Sequence, residues 1–407
     1  MNINTDIART YLFSGKKMTA VAVLGVLLGM SIYIFMNSLL VGFDKASDEN
    51  IFKNTPHIRL YNDDVISKNL VSDTAAEYLI SNPKVVPKVN TIINPNGIAE
   101  MVQQQKEVTV VTAQVNTSVF YNNGKTQVSG LSIGIKPDEA DMMYSITSSM
   151  VEGKFETLKS DPNGIVIGIG IAEKMNLVLG DNINLTSQKG VTKNLRVAGI
   201  FRSFNSTADD TKSYVNLYTA QQLLKENNVY VTDISVNVKD PYQAAAVAEK
   251  LSQLTGYKSE DWRESNESLM ALSKMRFIMI NFVSTAIMLI AGFGIYNILN
   301  MTVSQKINDI AILKAIGFKG KDVIRIFVTQ ALSIGLIGVV GGMLMALLMI
   351  TLLKKVYIGG DIGYFPVDYE LQKFIQGVVM GLVITFFAGY IPARKAAKVD
   401  PVSIFRK

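Results

Sequence analysis

Few residues in this chain could carry out covalent chemistry. It has no cysteine and one histidine, His57. A histidine–cysteine metal cluster is therefore excluded, and any metal site would need carboxylates alone. His57 stands in the strand-like TPHIRLY, where a structural role outweighs a catalytic one, and no G-x-S-x-G elbow supplies a nucleophile. Two glycine patterns could cradle a phosphate, and both fail. Gly168 and Gly170 begin a G-x-G, but Glu173 replaces the third glycine of the dinucleotide fingerprint. NGKT at 123–126 matches the end of a phosphate loop, yet Val119 stands where its first glycine belongs. Gly15 and Gly320 precede lysines without the rest of that motif. The expectation is a chain with no catalytic residue, no bound cofactor and no metal.

The residues that stand out lie in QKINDIAILKAIGF, 305–318. Ile307, Ile310, Ala311, Ile312, Leu313, Ala315 and Ile316 are apolar, and only Lys306, Asn308, Asp309 and Lys314 interrupt them. A helix apolar on most sides wants more than water around it. Gly317 suits a left-handed helix end, and Asp322 can cap the helix that follows. On the residues alone, a helix offered to a partner and a simple continuation of the preceding span fit equally.

The elements around this stretch are long and apolar. Residues 18–43, 277–305, 326–353 and 374–393 carry no charge. A bilayer core needs roughly 20 apolar residues in a helix, so each run can span it. The first run is longer than a signal-peptide core and lacks a clean cleavage site, so it reads as a retained helix. The segments 1–17, 305–325 and 394–407 together carry a net charge of +9, whereas 44–276 carries −3 and the loop 354–373 is neutral. Basic residues favour the cytoplasmic side. Both termini are expected inside and the 233-residue segment outside. The resulting division is a cytoplasmic amphipathic segment 1–17, transmembrane helix 18–43, external domain 44–276, helix 277–304, cytoplasmic segment 305–325, helix 326–353, external loop 354–373, helix 374–393 and tail 394–407. The overall charge of +6 is then a topology signal, and no nucleic acid is needed to explain it.

The external segment reads as a mixed α/β domain, with two subdomains meeting near 130–160, where Pro137, Gly153 and serines loosen the text. Strands are expected at 108–115, 164–169, 194–201, 213–218 and 233–238, and helices at 73–80, 219–226 and 241–254. Asn123-Gly124 and Gly180-Asp181 mark turns. Within the spans, Gly25 and Gly29, Gly338 and Gly342, and Gly377 and Gly381 are paired at helix-packing spacing. No Asp, Glu, Lys or Arg lies mid-span, which argues against an ion-coupled transporter or a channel. Residues 3–16 place Ile3, Ile7, Tyr11 and Leu12 on one face, either of a surface-lying helix or of an extension of the first span.

NDIAILKAIGFKGKDVIRIFVTQALSIGLIGVVGG resembles the membrane domain of MacB/LolC/FtsX-type ABC permeases, the mechanotransmission exporters. YIPARKAAKVDPVSIFRK resembles their C-terminal motif, and GIVIGIGIAEKMNLVLGDNINLTS and NLRVAGIFRS resemble their external domain. NSLLVGFD followed by NTPHIRLYN is similar to the lipoprotein-releasing LolC/LolE branch. Asp309 stands where the family commonly has glutamate. The resemblance implies four transmembrane helices, a MacB-like periplasmic domain between the first two, and an inner-membrane location. It implies a cytoplasmic ABC ATPase dimer that brings the ATP and magnesium, and a second permease protomer, identical or homologous. Lys306, Ile307, Asp309, Ile310, Leu313, Lys314, Ile316 and Gly317 become the ATPase-coupling residues. The implied activity is extraction of lipoproteins for a periplasmic carrier. Alternatives are a MacB-like efflux permease working with an adaptor, for drugs, peptides or lipids, and FtsX-like signalling to cell-wall hydrolases. The size of the external domain disfavours the last.

Overall fold

The four uncharged runs each lie within one long helix, because an uninterrupted apolar segment has no reason to leave the helical state in hydrocarbon. The computed structural model describes residues 3–63, 91–203, 205–359 and 363–405. α1 (Ile3–Ser14) ends at Gly15, and α2 (Lys16–Asn54) contains the first run. After α2 come β1 (Ile58–Tyr61), α3 (Pro95–Gln103), β2 (Val108–Asn123), β3 (Thr126–Ile135), α4 (Pro137–Tyr144), β4 (Met150–Gly153) and α5 (Thr157–Ser160). Then follow β5 (Gly164–Gly168), α6 (Ile169–Met175), β6 (Asn182–Ser187), β7 (Thr192–Phe201), α7 (Ser206–Thr211), β8 (Lys212–Asn216) and α8 (Leu217–Leu223). β9 (Asp233–Val238), α9 (Ala244–Thr255), β10 (Lys258–Asp261) and α10 (Trp262–Ser265) complete the α/β part. α11 (Glu267–Gln305), α12 (Ile307–Ala315), α13 (Gly320–Leu353), the short strands β11 (Tyr357–Gly359) and β12 (Gly363–Tyr364), α14 (Leu371–Ala397) and α15 (Pro401–Phe405) close the chain. Two units result, Met1–Ser47 with Ala271–Lys407, and Asp48–Met270.

The α/β unit is one mixed sheet in the order β10-β1-β9-β2-β3-β8-β5-β7-β4, with β6 against β2 and β7. β2 is the shared member. Its first half pairs with β9 and its second half with β3 and β6. Ile58, Leu60, Ile234, Val236, Leu251 and Trp262 form a core beside the β1–β9 half. Beside the other half, Val119, Tyr121, Ile165 and Ile167 pack with Leu185 and Leu195, while Ile135, Phe155, Val166 and Tyr214 form a separate core. Every residue of β5 is buried, which explains its unbroken apolar GIVIG.

Several sequence expectations are refined. The helix expected at 73–80 lies outside the described residues. The two halves of the sheet are joined through β2, whereas β3, α4, β4 and α5, which cover most of 130–160, belong to the second half. The strand expected at 213–218 stops at Asn216, whose side chain accepts the Tyr218 N–H at 3.0 Å and starts α8 there. NGKT is a hairpin tip, with Asn123 paired to Thr126 and Gly124 at φ +59°. The G-x-G at 168–170 is a packing device: a Cβ on Gly168 would lie 2.2 Å from the Asp209 carbonyl oxygen.

The helical unit has an inner core and an apolar outside. Met30, Tyr33 and Ile34 of α2 pack with Ile295 and Leu299 of α11, Val339 of α13 and Ala388 of α14. Leu28, Phe282, Phe293, Leu344 and Val379 are exposed on these same helices, the pattern of helices solvated by lipid. Arg276 of α11 pairs with Asp44 of α2, and Lys45 pairs with Asp368 before α14.

Candidate functional site

α11 and α12 are nearly one helix. The break is at Lys306, whose φ and ψ of −99° and 15° turn the chain before Ile307. α12 then buries one face. Ile310 and Ala311 are fully covered, and Ile310 packs in a core with Ala8 and Tyr11 of α1, Ile326 and Phe327 of α13, and Ala396 of α14. Ile307 and Leu313 are half-buried. On the other face Ile312 is 50% exposed and Ile316 is 70% exposed. Ile312 was not among the expected coupling residues. Its spacing of four from Ile316 is the signal that puts the two on one helical face.

The charged residues of the stretch have partners within this chain. Lys306 pairs with Asp309 at 3.1 Å, and its ammonium lies 5.5 Å from the centre of the Tyr11 ring. Lys314 donates to the carbonyls of Ala397 at 3.0 Å and Val399 at 2.6 Å. These carbonyls lie at the end of α14, where the helix dipole favours a cation. Lys314 thus ties α12 to the segment that leads into α15.

The end of α12 follows from its glycine. Gly317 has φ +108°, the Phe318 N–H donates to the Leu313 carbonyl at 3.1 Å, and the Gly317 N–H donates to the Lys314 carbonyl at 3.1 Å. This is the Schellman arrangement, and it strongly favours glycine. Asp322 accepts the Lys319 N–H at 3.0 Å and so starts α13, while its other oxygen accepts from the Asn4 amide at 3.4 Å. α1 therefore has a protein partner: Ala8 and Tyr11 are buried, and the Tyr11 and Phe327 rings are 6.0 Å apart.

The paired glycines divide. A Cβ on Gly29 would lie 2.8 Å from the Ala291 Cβ, on Gly338 2.6 Å from the Val26 Cβ, and on Gly342 2.7 Å from the Leu27 carbonyl oxygen. Gly377 and Gly381 come within 3.0 Å of Met30 and 3.1 Å of Val339 by the same measure. A Cβ on Gly25 would have nothing within 4 Å among the described residues, so its small size serves no contact there. Gly292, Gly335 and Gly389 make closer approaches than any of these, at 2.3–2.4 Å, without a glycine partner four residues away. Pair spacing alone missed them.

His57 is structural. Its Nδ1 accepts the Val238 N–H at 3.1 Å, its ring lies 5.3 Å from Phe52, and burial lowers its pKa.

Known proteins show the same division of the chain. Residues 19–254 match the MacB-like periplasmic core domain, and residues 281–401 match the FtsX-like permease C-terminal domain. The lipoprotein-releasing system transmembrane protein LolC of Neisseria meningitidis serogroup B is 23% identical, over 95% of this chain and 94% of that protein. LolE of Haemophilus influenzae is 24% identical, over 94% and 92%. The pyoverdine export ATP-binding/permease protein PvdT of Pseudomonas syringae pv. tomato is 26% identical, over 58% of this chain and 37% of that protein. The periplasmic region of MacB from Actinobacillus actinomycetemcomitans, 14% identical, aligns with a TM-score of 0.34 over 55% of this chain and 95% of that structure.

Proposed function

Because this chain belongs to the family that joins a MacB-like periplasmic core domain to an FtsX-like permease domain, we propose that it is the membrane permease of an ABC-type exporter whose ATPase is a separate chain. The observation that carries this reading is α12. It is anchored by Ile310, Ala311 and Lys314, capped by Gly317, and leaves Ile312 and Ile316 uncovered on one face. An anchored helix with a bare apolar face is suited to take a push from a partner without absorbing it. In this reading the partner is a cytoplasmic ATPase dimer that brings ATP and magnesium. Its closure displaces α12, and the shared core passes the displacement to α1, α13 and α14. A second permease protomer faces the first. The basic ends of the helices lie in the cytoplasm, and the α/β domain lies in the periplasm.

The cargo that best fits is a lipoprotein lifted from the outer face of the inner membrane and passed to a periplasmic carrier. The similarity to LolC and LolE along nearly the whole chain supports this. An efflux permease is the second reading, favoured by the partial match to PvdT. Reconstitution with a separately purified ABC ATPase tests both. The permease alone should hydrolyse no ATP, and the pair should hydrolyse it. A proteoliposome-bound lipoprotein should then move to a soluble carrier. ATP hydrolysis by the single chain would overturn the subunit assignment. Export of a small compound through an adaptor, without lipoprotein release, would favour the second reading.

A further inference from the structure

We propose that the helical unit holds an anionic phospholipid in a site between α11 and α14. Two hollows build it. The first is an apolar groove of 450 Å³ lined by Gly292, Phe293, Tyr296, Ile384 and Ala388. The second, of 380 Å³, is lined by Tyr390, Arg394, Lys395 and Lys398. Ile391 lines both, so the apolar groove leads to the basic one. The floor is thin for a stated reason. Gly292 has no side chain, and a Cβ there would lie 2.4 Å from Ile384, so the two helices approach closely. Phe293 and Phe387 stand out as exposed walls and leave the space between them open.

Among the described residues, no carboxylate pairs with Arg394, Lys395 or Lys398. Lys395 reaches the Tyr296 hydroxyl at 3.4 Å, and Tyr296 also lines the groove. Arg394 and Lys398 are four residues apart and share a helical face. Uncompensated cations at the end of an apolar groove select a molecule with an anionic head and a hydrocarbon tail. A free phosphate has no use for the groove. A zwitterionic lipid brings its own cation to the basic hollow.

Native mass spectrometry of the delipidated full chain in detergent tests this, with phosphatidylglycerol, phosphatidylcholine of equal chain length, and inorganic phosphate as probes. Phosphatidylglycerol should bind about tenfold more tightly than phosphatidylcholine, because three cations face its headgroup. Inorganic phosphate should not bind. Replacing Arg394, Lys395 and Lys398 together by glutamine should bring phosphatidylglycerol down to the phosphatidylcholine level. Ile391→Trp, at a half-exposed position, should weaken both lipids by filling the junction of the hollows. If that variant fails to fold, the glutamine variant, altered only at exposed side chains, still decides. Equal binding of the two lipids by the unaltered chain would overturn the proposal. So would an unchanged preference in the glutamine variant, binding of phosphate alone, or a disulfide between two copies of an Ile391→Cys chain, which would put a second copy in the groove. No ATPase enters the experiment, so its outcome is independent of the transport reading.

Discussion

At the scale of single residues, Lys314 shows how far a sequence can direct attention without giving a direction. Its place among the residues expected to couple to an ATPase suggests a hand held out to a partner, but its ammonium donates to the Ala397 and Val399 carbonyls. Hydrogen bonds to a charged group are worth about 1.5–3 kcal/mol. Lys314→Met should therefore loosen the segment beyond α14 and raise amide exchange at residues 399–405 by about tenfold or more. Lys314→Arg, which keeps the charge, should restore much of the protection. ATPase docking should change little in either variant; a loss of docking with unaltered exchange would make Lys314 a direct contact instead. His57 gives a pH prediction. Burial holds its folded-state pKa below the ordinary value of about 6.5. The unfolded chain then takes up more protons as pH falls through that value, so stability is present above it and is lost on acidification. The thermal unfolding midpoint of the α/β domain should drop between about pH 7 and 5, and His57→Gln should flatten that dependence. The charges and the histidine were legible as residues. The orientation of Lys314 and His57 was not, because the groups that receive them lie 83 or more residues away in the chain.

At the scale of elements, α12 was legible at its end and less so on its faces. Gly317 announced the left-handed turn, and the structure places it at φ +108°. The apolar residues around α12 gave no preferred side until the cover of α1, α13 and α14 was known. That cover assigns Ile310 to the core and Ile312 and Ile316 to the open face. Ile312→Asp and Ile316→Asp should each weaken ATPase binding by more than about tenfold, since a charge would be buried in the contact. Ile310→Ala should act differently. It opens a cavity and should lower stability by about 2–4 kcal/mol, read as a lower unfolding midpoint. Gly317→Val forces a β-branched residue into a backbone that costs it roughly 1–3 kcal/mol. It should reduce release per ATP hydrolysed more than it reduces docking. Equal losses in both measurements would mean that the cap serves only the fold. Five strands of the α/β unit, β2, β5, β7, β8 and β9, were legible as β-branched runs, whereas β3 and β6 were not. The end of β8 was not, because Asn216 can extend a strand or cap a helix, and only the accepted Tyr218 N–H decides.

At the scale of the whole molecule, the four long helices followed directly from runs without charge, since hydrocarbon tolerates little else. The charge asymmetry also predicts their direction. In spheroplasts, a cysteine at Lys125, exposed at the tip of the β2–β3 hairpin, should react with an impermeant reagent, and one at Lys319 should not. The chain has no other cysteine to interfere. Labelling at Lys319 alone would invert the topology. The join inside the α/β domain was hidden because β2 keeps one strand-like text while it changes partners. A single 16-residue strand belongs to both halves of the sheet. A peptide linker would let the halves swing apart, but a shared strand behaves as a beam. Force applied at one end is carried along its axis as shear across the ladders on both sides, and little is lost to bending. Stretched between its ends in an optical trap, the domain should yield in one rupture, because release of either half leaves that half's stretch of β2 without its ladder partner.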